Sequence, residues 1–381
     1  MEDKEIRQKN TEDRNITEGK DVDLRPWAKT GRRKRINRIK LFLVILLILL
    51  ALIGGLRLWY FLGGISKVHL SEDGLTHAAR FKNCIAVHGI DVSEFQDDIK
   101  WRKVKSSGAD FVFIRAGYRS KDSGELKSDD DFDENMKKAN KAGIMTGAYF
   151  FSQALNEDEA VEEAECLLDM VKGYDIEMPL VIDFELLEGG RLQQAIDAGE
   201  MPAASMYHDI VLAFCDRINK AGYEAAVYAN YDMLTNYMDS TILGKKATIW
   251  AAQYGGECSV AGSYRYWQCA EDAYVGGIKG QVDHDIWYLE PGKVYSTKAA
   301  GKRKQTSIGD CTISFDENSY SLKNNRAVPK VTLTNGDRKL RKGRDYILSF
   351  IRNTEEGTGY AIVRGVGRYK DLTSAPFTIE K

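Results

Sequence analysis

Met178-Pro179-Leu180-Val181-Ile182-Asp183-Phe184-Glu185 is an apolar run that ends in two carboxylates two positions apart. It reads as a buried strand that surfaces at Asp183. Side chains at i and i+2 of a strand share a face, with Cα atoms roughly 6–7 Å apart. Two acids so placed suit glycosidic bond hydrolysis, in which one carboxyl protonates the leaving oxygen and the other answers the positive charge developing on the sugar. A short D-x-E also arises as a pair of solvated acids at a strand end, so its meaning depends on the surrounding chain.

From Ile85 to about Glu290, strand and helix signals alternate on both sides of this run. Strands are expected at Ile85–Val92, Phe111–Arg115, Met145–Phe151, Val181–Glu185, Ala225–Ala229, Ala247–Ala252, Tyr264–Gln268 and Val282–Trp287. Helices are expected at Trp101–Ser107, Asp131–Ala142, Asn156–Lys172 and Tyr207–Ala221. The third is opened by Asn156 with Glu159 in capping-box position, and several close on glycine. Repeated strand–helix units predict a parallel sheet, doubly wound or closed into a barrel. In a barrel, functional side chains collect at C-terminal strand ends. Asp183, Glu185, Asp91 and Asp283 are all read as lying there.

The flanks have different textures. Residues 1–40 are polar and charged, turn basic from Arg25, and are expected to be a disordered cytoplasmic tail. Residues 41–63 follow as an apolar stretch, with Trp59 and Tyr60 near its far end. About 22 residues at ~1.5 Å each span roughly 33 Å, enough to cross a bilayer core. The basic cluster before this segment and the lack of a small-residue cleavage site after it predict an uncleaved signal anchor. The protein is therefore expected in the cell membrane, single-pass, with its N-terminus cytoplasmic and the rest extracytoplasmic. The barrel is expected over 85–291, a linker over 292–307, and a small all-β domain with Asn335-Gly336, Lys342-Gly343 and Glu356-Gly357 turns over 308–381. Of six cysteines, Cys166 and Cys215 read as buried apolar positions, and Cys258 with Cys269 as the best candidate disulfide.

Seven pieces of 85–290, in order, resemble glycoside hydrolase family 25 lysozymes. They are Gly89-Ile90-Asp91-Val92-Ser93-Glu94-Phe95-Gln96, Phe111-Val112-Phe113-Ile114-Arg115-Ala116-Gly117, Gly147-Ala148-Tyr149-Phe150-Phe151, Pro179 to Glu185, Trp250-Ala251-Ala252-Gln253-Tyr254, Tyr266-Trp267-Gln268 and Val282-Asp283. The resemblance implies an α/β fold, an irregular flattened TIM-like (β/α) barrel, and N-acetylmuramidase activity on peptidoglycan. It implies Glu185 as general acid and Asp183 as its partner, with Asp91 and Asp283 completing an acidic floor. Tyr149, Trp250, Tyr254 and Trp267 are the implied sugar-binding walls. The spacing leaves open whether Asp183 is a nucleophile or orients the substrate's acetamido group.

The rival readings are a chitinase-type enzyme, a tethered wall-binding protein without activity, and a metal hydrolase built on His88, Asp91, Asp283 and His284. Chitinase-type strands end in D-x-D-x-E, and the first Asp position is Val181 here. The His spacing matches no ligand motif, so no metal or other cofactor is expected. The near-balanced net charge of −2 gives no reason to expect a nucleic acid partner. The expected partners are peptidoglycan glycan strands, the membrane through one helix, and a wall polymer or protein through residues 308–381.

Overall fold

The computed structural model describes residues 70–71, 74–201, 203–298 and 305–380. The expected cytoplasmic tail and the apolar segment 41–63 lie outside them. Among the described residues no helix is long and apolar enough to cross a membrane.

Nine strands build the main sheet: β1 (Ile85–Val92), β2 (Phe111–Arg119), β3 (Leu126–Ser128), β4 (Met145–Ser152), β5 (Leu180–Phe184), β6 (Ala225–Asn230), β7 (Thr248–Ala252), β8 (Tyr266–Ala273) and β9 (Val282–Leu289). Their order is β1-β9-β8-β7-β6-β5-β4-β2-β3, and pairing of β1 with β2 closes the barrel. β3 is a short antiparallel addition to β2 outside the closed ring. The helices are α1 (Trp101–Ser106), α2 (Phe132–Ala142), α3 (Glu157–Met170), α4 (Arg191–Asp197), α5 (Ala204–Lys220) and α6 (Ser240–Leu243).

The barrel departs from the all-parallel pattern at β9, which runs antiparallel to both β8 and β1. Only residues 274–281 join β8 to β9, and a parallel crossover needs about a dozen residues or more. The chain therefore turns straight back.

Alternation along each strand sorts side chains into two layers. Val112, Ile114, Leu180, Ile182 and Phe184 point outward into the helix-facing core. Phe111, Phe113, Val181, Trp250 and Trp287 fill the barrel interior. Two glycines make room for the large rings. A Cβ on Gly89 would lie 2.4 Å from the Phe111 ring, and one on Gly147 would lie 2.7 Å from that of Phe113. Phe113 stacks on Trp250 with centroids 4.4 Å apart.

At the start of α3, Asn156 Oδ1 accepts from the Glu159 amide at 3.0 Å, as expected. The Glu159 carboxylate does not close the capping box: it accepts from the Leu155 amide and from Arg191. No disulfide joins Cys258 to Cys269; all six cysteines are free thiols. Both lie in the helix-facing core, where Cys269 Sγ donates to the His284 carbonyl at 3.2 Å.

The C-terminal strands are β10 (Thr306–Ser307), β11 (Thr312–Phe315), β12 (Ser319–Ser321), β13 (Val331–Asn335), β14 (Arg338–Lys339), β15 (Tyr346–Ile351), β16 (Gly357–Gly365), β17 (Tyr369–Lys370) and β18 (Leu372–Glu380). They form small sheets ordered β11-β13-β14, β12-β18-β16-β15 and β10-β17. Ile362 and Leu372 enter one apolar cluster with Val87, Phe111, Met145 and Leu289 at the barrel base. Arg364 Nη1 donates to Glu177 Oε1 at 2.7 Å, with both side chains more than nine-tenths buried. The segment expected as a linker is held up to Lys298. Tyr295 and Leu372 exchange two backbone hydrogen bonds of 2.8 and 2.9 Å, and Lys298 pairs with Ile176.

Candidate active site

Inward-facing positions change character from base to mouth. β1 presents Val87 and then Asp91, β2 presents Phe113 and then Arg115, and β5 presents Val181 and then Asp183, with Glu185 just beyond. β8 presents Tyr266 and then Gln268. β9 runs the other way, so Asp283 and Asp285 come first and Trp287 last. Asp283 therefore reaches the mouth from the N-terminal end of an antiparallel strand, not from a C-terminal strand end as expected. Asp91 and Asp283 are direct register partners.

These ends surround a cavity of about 390 Å³. Seven of the eight site residues named from sequence line it: Asp91, Asp183, Glu185, Asp283, Tyr149, Trp250 and Tyr254. Trp267 does not. It is fully buried in the helix-facing core, because alternation along β8 turns Tyr266 and Gln268 inward and Trp267 outward. Its Nε1 donates to the Gln253 carbonyl at 2.8 Å, which secures the loop carrying Tyr254. Trp250 lies in the floor, 2 % exposed, and its Nε1 donates to Asp285 Oδ1 at 2.9 Å. The open aromatic surface at the mouth belongs to Tyr254 and Phe95, which are 44 % and 77 % exposed.

Gln268 is the polar centre of the floor. Its Nε2 donates to Asp91 Oδ2 at 2.8 Å, while its Oε1 accepts from the Tyr228 hydroxyl at 2.9 Å and the Tyr254 hydroxyl at 2.8 Å. Arg115 is the cation among the lining residues. Its guanidinium is held by Asp129 at 2.8 Å and Glu94 at 2.9 Å, and it sits 4.8 Å from the Phe95 ring centroid. Gln268, Tyr228, Arg115, Asp285 and Glu271 had no role assigned from sequence. Period-2 counting from Tyr266, Phe113 and Asp283 places Gln268, Arg115 and Asp285 on the inner face.

The carboxyls are electrostatically crowded. Asp91 is the register partner of Asp283, and Asp91, Asp283 and Asp285 act on one another's ionisation. Burial and Asp91 push Asp283 up to about 9. Burial drives Asp91 and Asp285 well above the usual carboxylate range, with repulsion from Asp285 adding to the rise at Asp91 and repulsion from Asp283 adding to that at Asp285. Asp183 is also held well above that range, first by burial, then by Glu185 and Asp91, against the pull of Arg115. Burial lifts Glu185 to about 7. Asp183 Oδ1 is buried without a hydrogen-bond partner among the described residues. A pocket of buried, proton-retaining carboxyls is suited to donating a proton and to receiving a positive charge.

His88 and His284 do not join Asp91 and Asp283. They meet on the outer face of β1 and β9, with Nδ1 and Nε2 3.0 Å apart. Among the described residues no group of three or more His, Cys, Asp or Glu side chains could hold a metal ion.

Residues 90–278 match the model of glycosyl hydrolases family 25. Lysozyme M1 of Streptomyces globisporus is 27% identical over 207 residues, covering 52% of this chain and 67% of that protein. An autolytic lysozyme of Clostridium acetobutylicum is 26% identical over 198 residues, covering 52% of this chain and 54% of that protein. A bacterial lysozyme structure from Streptomyces coelicolor aligns over 53% of this chain and 92% of its own, at 25% identity and a TM-score of 0.45. The chain thus spans about half to two thirds of the length of these curated relatives.

Proposed function

We propose that this chain, whose residues 90–278 form a family 25 glycoside hydrolase module, cleaves the β-1,4 bond between N-acetylmuramic acid and N-acetylglucosamine in peptidoglycan. The observation that carries the reading is the pairing of buried Asp183 with Glu185 at the mouth of a closed barrel, facing Asp91 and Asp283.

Glu185 is the general acid. With its carboxyl lifted to about 7, about half of it keeps a proton at neutral pH, and that proton passes to the leaving oxygen. Asp183 answers the charge that grows on the anomeric centre, with its Oδ1 free of protein partners among the described residues. In the empty site the carboxyls resist ionising together. A positive sugar ring favours ionisation of Asp183, whose proton is released to solvent through the cavity mouth, so the attraction grows as the oxocarbenium character develops. Such an interaction is stronger in the transition state than in the ground state, which is the condition for catalysis. The exposed faces of Tyr254 and Phe95 and the hydroxyl of Tyr149 are the contacts offered to the glycan.

The apolar segment 41–63 and the basic residues before it support a membrane-anchored enzyme whose barrel works on the wall outside the cell. An anchor restricts reach to nearby wall, which favours local remodelling. The deciding experiment is mass analysis of fragments released from purified peptidoglycan. Muramic acid at the new reducing end supports the assignment, and glucosamine there overturns it.

A further inference from the structure

Arg338-Lys339-Leu340-Arg341-Lys342-Gly343-Arg344 places five cations in seven residues, all five exposed. Leu340 alone is buried, in a cluster with Leu333, Tyr346 and Val363. The run has a fixed frame. The Leu340 amide donates to the Leu333 carbonyl at 2.9 Å, and that of Gly343 to the Tyr346 carbonyl at 2.8 Å. Asp345 is 2 % exposed. Its carboxylate accepts from the Arg341 amide at 2.9 Å and from Arg344 at 3.1 and 2.6 Å. The Val366 amide donates to the Asp345 carbonyl at 3.0 Å, which brings the next turn alongside and adds exposed Arg368. Six cations thus share two adjacent loops with two acids, Asp337 and Asp345, and Asp345 is spent on the frame.

Many basic faces are merely solvated. This one has its backbone tied to the domain at Leu340, Gly343 and Asp345, which keeps six cations on two adjacent loops where a chain of anions relieves their mutual repulsion. The run 336–344 has no exposed large apolar side chain to insert into a bilayer, and the nearby Tyr346 and Tyr369 are buried and offer no face for stacking a base. The fit is to a flexible, hydrophilic polyanion.

We propose that the loops 338–344 and 366–368 bind a phosphodiester-linked polyanion of the cell wall, at a site separate from the barrel mouth. The choice of a wall polymer as the source rests on the peptidoglycan reading above; the charge argument does not.

The test uses the full chain in detergent and the triple variant K339Q/R341Q/K342Q. Arg338 and Arg344 are left in place because both pair with Asp345. Retention is measured on intact purified walls, on walls stripped of phosphodiester polymers with hydrofluoric acid, and on phosphatidylglycerol and phosphatidylcholine vesicles. Wild type is expected to hold intact walls about tenfold or more better than stripped ones, with the advantage shrinking between about 50 and 200 mM salt. The variant loses that advantage while hydrolysing soluble glycan fragments like wild type. Equal retention on stripped walls, or by the variant, overturns the proposal. So does a phosphatidylglycerol preference that the variant loses without a matching loss on intact walls. Fragment masses are read separately, so a failure of the muramidase reading is distinguishable from a failure of wall-polymer binding.

Discussion

Asp91 and Asp283 face each other in register across the antiparallel pair of β1 and β9, and the charge of Asp91 adds to burial in raising the Asp283 carboxyl to about 9. Two buried carboxyls so close resist ionising together. The floor of the cavity is therefore built to stay partly protonated at pH values where a solvated aspartate is fully ionised.

One consequence is a falling stability with rising pH. The unfolded chain releases the Asp283 proton near its ordinary value of about 4, whereas the folded chain holds it to about 9. Between those values the native state binds more protons, so the stabilisation present at low pH is lost as pH rises through about 9. The melting temperature is expected to decline from about pH 5 to about pH 9, and Asp283→Asn is expected to flatten the decline. A wild-type profile that rises over this window contradicts a proton held on Asp283 up to about pH 9.

Activity should fall on the alkaline side for a different reason. Glu185 must carry its proton to act, and its carboxyl is lifted to about 7 by burial. The kcat/KM profile is expected to drop with an apparent pKa near that value. Glu185→Gln should remove the limb and lower turnover by about 10²- to 10⁴-fold, with retention on walls unchanged. Lysis by that variant at wild-type rate would strip Glu185 of its role.

Gln268 supports three partners at once. Replacing it with Leu leaves Asp91 and the Tyr228 and Tyr254 hydroxyls without their shared contact. Urea unfolding is expected to show a loss of about 2 kcal/mol or more, since each orphaned buried polar group costs about 1–3 kcal/mol. KM should rise as well, because Tyr254 loses its anchor.

The two aromatics Tyr254 and Trp267 should differ in whether binding or stability carries the larger loss, with Trp267 also touching binding through the Gln253 carbonyl it holds. Tyr254→Ala removes half-exposed surface from the cavity wall and is expected to raise KM several-fold at little thermal cost. Trp267→Ala empties a fully buried position and should cost about 3–5 kcal/mol of stability. Denaturation midpoints and steady-state kinetics on the same two proteins decide the matter.

Much of the site was legible because strand alternation is a strong signal. Tyr149 was implied by the family resemblance, while Asp183 and Glu185 two apart and Asp91 at the end of an apolar strand follow from strand alternation. The same counting, carried into Tyr266-Trp267-Gln268, would have sent Trp267 outward and brought Gln268 in. The direction of β9 was harder to see. It depends on residues 274–281 being too few for a crossover, while the Val282-Asp283 strand looks the same in either direction. Gly292, Lys293 and Ser296 gave the next segment the composition of a linker, and composition carries no trace of the backbone bonds Tyr295 makes with Leu372. Nor does a sequence reveal that the partner of Glu177 is Arg364, which lies 187 positions away.

The docking at Ile362, Leu372 and the Glu177–Arg364 pair also bears on inheritance. A barrel that shares its floor with a neighbouring sheet cannot be excised and recombined as a free cassette. Drift at Val87 or Met145 has to be matched by drift at Leu372 or Ile362. The two parts should then descend together, their sequences constraining one another across the seam, while the exposed turns of the β domain remain free to diversify.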